Sequence, residues 1–318
     1  MTASEINITI DEAVAKCPNL EEKIRHSVEL IRKGEKMALE FDPVNGYHLA
    51  FSGGKDSQVL YHITKMAGVR FKAHMNLTSV DPPEVLRFIR REYPDVILHT
   101  PPMSIYKLAK ERQLLPARNK RWCCAELKER RSDNSVQLLG IRKEESENRK
   151  RRNEIEADNH KLSTTLDQWE EHEEVMHQCS VGGDNLLISP IIHWTEQDIW
   201  QFMNTNNIPH CSLYVEGFKR IGCIFCPMHG YKQKVIEQKR WPHSKRQWIE
   251  TIQWLMNNKW KNLHFPTAEL YFRWWISGKS LEQFKLDEIY QLKIDWNEEN
   301  NQKSPSPADG GRVEEDAR

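Results

Sequence analysis

The residues with the plainest chemistry are Ser52-Gly53-Gly54-Lys55-Asp56-Ser57. Two glycines let a backbone approach an anion closely, and the amides that open a helix point at it. Ser52 and Ser57 add hydroxyl donors, Lys55 a mobile positive charge, and Asp56 a carboxylate able to hold Mg²⁺ or cap the helix. Arg142 and Arg149 follow an apolar run and could grip phosphate oxygens through forked hydrogen bonds. A second chemistry lies in Cys123-Cys124 and in Cys223-Ile224-Phe225-Cys226. A C-x-x-C pair can be a redox dithiol, a zinc half-site or an iron–sulfur half-site. Adjacent cysteines on a helix point in different directions, which suits a cluster better than a single ion. The two pairs together supply enough thiolates for one 4Fe–4S cluster.

These residues need elements that position them. Tyr47, Leu49 and Phe51 alternate with His48 and Ala50 as a short strand, and Val59, Leu60, Ile63 and Met66 recur at helical spacing. Strand, glycine turn, lysine and helix in that order favour a phosphate loop over an ordinary capped helix. Residues 71–77 form a second strand, Pro82-Pro83 opens a helix, residues 96–99 form a third strand and residues 136–141 a fourth. Alternating strands and helices imply an α/β fold with a doubly wound parallel sheet. Ligands of such sheets bind beyond the carboxyl ends of the strands, which brings Asn76 to the nucleotide. Residues 153–183 are polar and His-rich and are expected to be a mobile loop or lid. His160, His172, His177 and Cys179 within it are too widely spaced to suggest a metal site. Thr195, with Asp198 three residues on, is expected to cap a helix.

Lys and Arg together number 46 and Asp and Glu 46, so no net charge drives the whole chain toward nucleic acid. Seven cysteines, an odd number, argue against a disulfide framework. No apolar run reaches about 18 residues and no charged-then-apolar leader is present, so a cytoplasmic protein without a membrane segment is expected. The expected division is a helical segment over 1–40 ending near Gly34, a nucleotide-binding domain over 41–230, an aromatic helical extension over 231–295 and a disordered tail over 296–318. The chain has eleven tryptophans, and those of the extension are expected to fill a core; a face for single-stranded nucleic acid is the alternative.

The hexapeptide is not a Walker loop, since the G-x-x-x-x-G-K-S/T spacing is absent. It resembles the PP-loop of the ATP pyrophosphatase superfamily, adenine nucleotide alpha hydrolase-like in fold. Gly140-Ile141-Arg142 with Glu145-Ser146 and Arg149 follow in the order seen in iron–sulfur members of the phosphoadenosine phosphosulfate (PAPS) reductase family. So do Ser189-Pro190-Ile191, Trp194-Thr195, Asp198-Ile199-Trp200 and Gly222-Cys223-x-x-Cys226-Pro227. The resemblance covers about residues 45–230 and is similar to the DndC and SspD proteins of bacterial DNA phosphorothioation.

That resemblance implies a set of roles. Ser52, Gly53, Gly54 and Ser57 would bind the pyrophosphate of ATP. Lys55, Asp56 (with Mg²⁺) and Arg142 would assist cleavage of the α–β bond. Asn76 and Arg149 would hold the nucleotide, and Cys123, Cys124, Cys223 and Cys226 would hold a 4Fe–4S cluster. A cysteine desulfurase and other phosphorothioation proteins are the implied partners, with DNA contact. Two departures matter: Thr78-Ser79-Val80-Asp81 only loosely matches the family's strand-end motif, and no cysteine follows Cys226, whereas assimilatory reductases attack with a cysteine in a C-terminal tail. An APS or PAPS reductase using Cys179 or Cys211, and a non-catalytic nucleotide-sensing partner in a defence complex, are the alternatives.

Overall fold

The computed structural model describes residues 2–129, 135–157, 162–181, 185–261 and 264–288. Helices α1 (Ile10–Lys16) and α2 (Glu21–Phe41) lead into β1 (Tyr47–Ala50), followed by α3 (Lys55–Ala67) and β2 (Phe71–Asn76). Then come α4 (Pro83–Glu92), β3 (Ile97–His99), α5 (Ile105–Arg112), a π-helical turn over Cys124–Lys128 and β4 (Val136–Leu138). Next are α6 (Glu147–Lys150), β5 (Ile155–Ala157), β6 (Ser163–Thr164), α7 (Trp169–Val181), β7 (Leu186–Ile188), α8 (Glu196–Thr205) and α9 (Ser212–Val215). The chain continues through α10 (Tyr231–Arg240), α11 (Pro242–Asn258) and α12 (Ala268–Ser277). Among the described residues no helix is long and apolar enough to cross a membrane.

The strands form one sheet in the order β3-β2-β1-β4-β7-β5-β6. The five from β3 to β7 run parallel, and β5 and β6 add an antiparallel edge. The chain moves outward from β1 to β3 and then restarts at β4 on the other side of β1. That reversal is the switch point at which such sheets bind ligands. Tyr47 and Leu49 of β1 are fully buried, whereas His48 and Ala50 on the other side of the strand are half-buried. Period-two alternation thus assigns one face to core and leaves the other for a site.

Helix α2 continues through Gly34 to Phe41 and does not end at the glycine. The reason is close packing: a Cβ at Gly34 would sit 2.5 Å from the Tyr47 hydroxyl oxygen and 2.9 Å from Ile188 Cδ1. The Tyr47 hydroxyl donates to the Ile31 carbonyl at 2.6 Å. Thr195 and Asp198 form the expected capping box, and Lys23 pairs with Asp198 at 2.5 Å, tying α8 to α2. The polar stretch at 153–183 is not a lid in its described parts. It supplies β5, β6 and α7, because Ile155, Ala157, Leu166, Trp169 and Met176 are buried among its charges. His160 and the 296–318 tail lie outside the described residues.

The chain divides into units spanning 1–247 and 248–318. The expected boundary at 230/231 therefore falls inside the first unit. Trp241, just after α10, packs on Phe218 at 5.6 Å between ring centroids and donates Nε1 to Glu84 at 3.2 Å, holding α10 to α4. In the second unit the aromatics pack on one another: Trp248 on Trp275, Trp260 on Tyr271, and Phe265 on Trp274 and Phe284.

One buried carboxylate joins three segments of the first unit. Glu154 accepts from His26 at 2.8 Å, from His193 at 3.0 Å and from the Leu166 amide at 2.7 Å. Burial alone would raise its pKa, but the hydrogen bonds from His26 and Leu166 and the charge of His26 outweigh it and hold the carboxyl at about 2. The hydrogen bond to Glu154 raises the His26 pKa above its ordinary 6.5. A lowered carboxyl pKa stabilises the fold above the ordinary value of 4.5 and loses that contribution as pH falls toward 2. A raised histidine pKa contributes below 6.5 and is lost as pH rises through its folded value. Glu154→Ala is therefore expected to cost about 2–3 kcal/mol in urea unfolding near pH 5.5, with a penalty that shrinks toward pH 2 and above neutrality. A pH-independent difference from wild type would contradict this.

Candidate functional site

The loop after β1 has a conformation that few residues can take. Gly53 has φ of +70°, and a Cβ there would lie 2.8 Å from Ile89 Cδ1 and 3.0 Å from Val85 Cγ1 of α4. Both the left-handed backbone and the packing demand glycine. Gly54 is the N-cap of α3. The Ser57 hydroxyl donates to the Gly54 carbonyl at 2.9 Å and accepts from the Ser52 amide at 3.2 Å, closing the turn on itself. The Lys55 amide, a first-turn donor of α3, gives its hydrogen to the Tyr214 hydroxyl oxygen at 3.0 Å. Tyr214, on the short helix α9, is a residue that sequence reasoning missed: its signal is spatial, since only the fold brings it to Lys55.

Behind this loop lies a compact charge network. Asp56 receives Arg142 Nε on Oδ1 at 2.5 Å and Lys55 Nζ on Oδ2 at 3.2 Å. Arg142 is 2% exposed and also reaches Glu144 at 2.7 Å and Glu196 at 3.8 Å. Burial works against its charge, but Asp56 and Glu144 outweigh that cost and raise its pKa. Gly140 makes the arrangement possible, because a Cβ there would approach the Asp56 carbonyl oxygen to 3.2 Å. Both oxygens of Asp56 are thus engaged by cations. Arg142 is held inward by carboxylates and does not line the neighbouring cavity.

That cavity, of about 670 Å³, opens over the carboxyl ends of β1, β2 and β4. Of the expected site residues, Ser52, Asn76 and Arg149 line it; Gly53, Gly54, Lys55, Asp56 and Ser57 do not. Lys128, Arg151 and Arg152 add positive charge to its wall. Arg149 pairs with Glu145, and burial together with the charges of Arg220 and Arg152 pushes its pKa down to about 10. Asp81, Glu129 and Glu156 line the same cavity, and Glu156 pairs with Arg152 at 2.5 Å. Asn76 donates to the Lys128 carbonyl at 3.0 Å, holding the strand-end loop to the turn that carries the first cysteines. His48 and His74 also line the cavity, stacked at 4.1 Å. Burial lowers both to about 4, so they are neutral at physiological pH. Their signal in the sequence was position, since each faces the same side of its strand as the residues at the strand end.

The fold brings the four expected cysteines into one neighbourhood. Cys123 lies within electrostatic reach of Cys124, Cys223 and Cys226. Cys123 and Cys124 share a hydrogen bond that makes Cys124 the more acidic partner, and Arg121 donates to the Cys124 sulfur at 3.3 Å. Cys223 donates to the Thr78 hydroxyl at 3.3 Å, and the Ile224 amide donates to the Val80 carbonyl at 2.8 Å, so the second pair is laced to the loop after β2. The ammonium of Lys128 lies among Cys223, Asp81, Cys226 and Cys124, which hold it protonated. Four thiols from two loops with two nearby cations are a donor set that fits an iron–sulfur cluster, whose thiolates carry compensable negative charge. Among the described residues, no three His, Cys, Asp or Glu side chains are placed to hold a single metal ion as they stand. Cys17 is fully buried and bonded to the Thr205 hydroxyl at 2.7 Å, a structural thiol. Cys211 is fully buried, and burial raises its pKa.

Residues 46–229 match the family described as the phosphoadenosine phosphosulfate reductase domain. An uncharacterized protein of Methanocaldococcus jannaschii is 26% identical over 240 residues, covering 68% of this chain and 45% of that protein. The adenosine 5'-phosphosulfate reductase of Lysinibacillus sphaericus is 24% identical over 172 residues, covering 51% of this chain and 63% of the relative. The chain thus spans about half to two thirds of the length of these relatives. Among solved structures, Candida glabrata FMN adenylyltransferase with FMN and an ATP analogue matches at 14% identity and a TM-score of 0.43, covering 82% of this chain and 80% of that one. The PAPS reductase of Candida auris matches at 17% identity and 0.39, covering 62% and 93%.

The Asp56–Arg142 contact has a measurable consequence. Arg142→Ala leaves Oδ1 of Asp56 without its donor while Lys55 still holds Oδ2, and is expected to cost about 2–3 kcal/mol. A double-mutant cycle with Asp56→Ala, read by urea unfolding, should return a coupling of about 2–3 kcal/mol; additivity would show that the two side chains act independently.

Proposed function

The chain belongs to the phosphoadenosine phosphosulfate reductase domain family, and from that premise we propose that it is an ATP pyrophosphatase that activates an acceptor for sulfur insertion, with the DNA backbone as acceptor in phosphorothioation. The observation that carries the reading is the phosphate loop. Its glycine geometry, the hydroxyls of Ser52 and Ser57, and the buried Lys55 converge at the N-terminus of α3. Helix-start amides and a lysine stabilise the charge that develops on pyrophosphate as the bond from the α-phosphorus to the bridging oxygen breaks. The acceptor oxygen takes the adenylyl group and pyrophosphate leaves.

In this mechanism Asp56 is an orienting group: it holds Lys55 and Arg142 at fixed separation. Arg149, on the cavity wall, closes over the phosphates, and Asn76 braces the loop at the nucleotide's other end. Mg²⁺ would arrive on the phosphates themselves. Cys123, Cys124, Cys223 and Cys226 would hold a 4Fe–4S cluster, which when bound supplies an electron-accepting or sulfur-relaying centre. A cysteine desulfurase would provide the sulfur.

The similarity to adenosine 5'-phosphosulfate reductases favours a second reading, reduction of a sulfonucleotide. It requires a thiol at the nucleotide. Cys211 is fully buried, and no cysteine is among the described residues that line the cavity. Anaerobically purified protein incubated with ATP, Mg²⁺, DNA and a cysteine desulfurase should release pyrophosphate, and Lys55→Ala should lower that rate on the order of 100-fold. Sulfite released from adenosine 5'-phosphosulfate, without pyrophosphate from ATP, would replace this proposal with the reductase.

A further inference from the structure

The loop carrying Cys223 and Cys226 adopts a shape it could not hold alone. Phe225, between the two cysteines, has φ of +58°, a region that a bulky side chain disfavours. Its ring is nevertheless buried. The Phe225 amide donates to Glu237 Oε2 at 2.7 Å. Glu237, on α10, is 1% exposed, and its other oxygen accepts from His229 Nδ1 at 2.7 Å and Gln233 Nε2 at 3.0 Å. Facing a carboxylate, Nδ1 of His229 carries the proton. The backbone of His229 donates to the Cys226 carbonyl at 2.9 Å, and its Nε2 stands 3.4 Å from where a Cβ on Gly222 would be. Glu237 therefore grips the cysteine loop at its middle and at its far end. A carboxylate withdrawn from water is tolerated only where N–H donors replace the lost solvent, and here they come from the loop, from its exit and from α10 itself.

We infer that Glu237 is the positioning residue of the Cys223–Cys226 pair: it holds Phe225 in its left-handed conformation, so that the two thiols form one fixed half of the four-cysteine donor set. This rests on reading the four cysteines as one ligand set, although the geometry at the second pair stands by itself. A structural ion pair that merely secured α10 would affect the whole first unit. A positioning residue affects the two thiols selectively, and the chain carries its own controls in Cys17 and Cys211, both fully buried.

The test is cysteine-by-cysteine labelling of the full chain with monobromobimane under native, anaerobic conditions before iron is supplied, read by peptide mass spectrometry. Glu237→Ala should raise labelling of Cys223 and Cys226 about tenfold, a loosening of the order expected when a charged hydrogen bond is lost. Cys17 and Cys211 should stay protected. Glu237→Gln keeps an acceptor for the Phe225 amide and should stay within about threefold of wild type. Unchanged labelling in Glu237→Ala, or an equal rise at Cys17 and Cys211, would overturn the inference. Should that variant not fold, Glu237→Asp, one methylene short of the Phe225 amide, replaces it under the same criteria. Iron and sulfide content after reconstitution is measured in parallel. About four irons in wild type and fewer in Glu237→Ala are expected. A wild type that takes up no iron would sink the ligand-set reading and leave labelling to decide the role of Glu237.

Discussion

The contact on which the site depends is the grip of Asp56 on Arg142. Asp56 stands in the first turn of α3, just past the phosphate loop, and Arg142 stands just past β4. The two strands that lead to them, β1 and β4, are the neighbours at which the sheet reverses direction. An ion pair placed there joins the loops that follow the two strands, and the second oxygen of Asp56 also holds Lys55. A buried pair of this kind gives up hydration, so its value lies in geometry as much as in stability. It turns a flexible lysine into a fixed charge at a helix N-terminus.

The sheet then divides its labour by face. Tyr47, Leu49 and Ile188 belong to the packed side, where α2 comes so close that only glycine fits at position 34. His48, Ala50, His74 and Asn76 face the cavity. The histidines are kept neutral by burial, while Lys128, Arg149, Arg151 and Arg152 supply the positive charges of the wall. The cavity thus brings neutral histidines together with a wall of mixed charge, since Asp81, Glu129 and Glu156 line it as well.

The cysteine half of the molecule is assembled by loops. Val80 and Thr78 receive the second pair, Asn76 ties the same loop to Lys128, and Glu237 fixes the backbone between Cys223 and Cys226. The strand-end loop from Asn76 to Asp81 therefore touches the cavity on one side and the thiols on the other.

Much of this was legible in order along the chain. The hexapeptide from Ser52 to Ser57 declares itself because its constraints are local: glycine freedom, helix-start amides and neighbouring hydroxyls act within one turn. The Thr195–Asp198 capping box was readable for the same reason, and the parallel sheet from the alternation of strands and helices. The partner of Asp56 was not, since Arg142 lies 86 residues away and only the strand order brings it near. Nor was Glu237, one carboxylate among many until α10 is laid against the cysteine loop. The stretch at 153–183 looked like a lid because it is polar and His-rich, yet a few buried side chains suffice to make an edge of the sheet. By itself, then, the sequence determined which local structures and which reactive groups the protein has. Tertiary structure decided which of those groups are neutralised, buried or brought together, because burial and charge pairing depend on distances through space that topology alone sets.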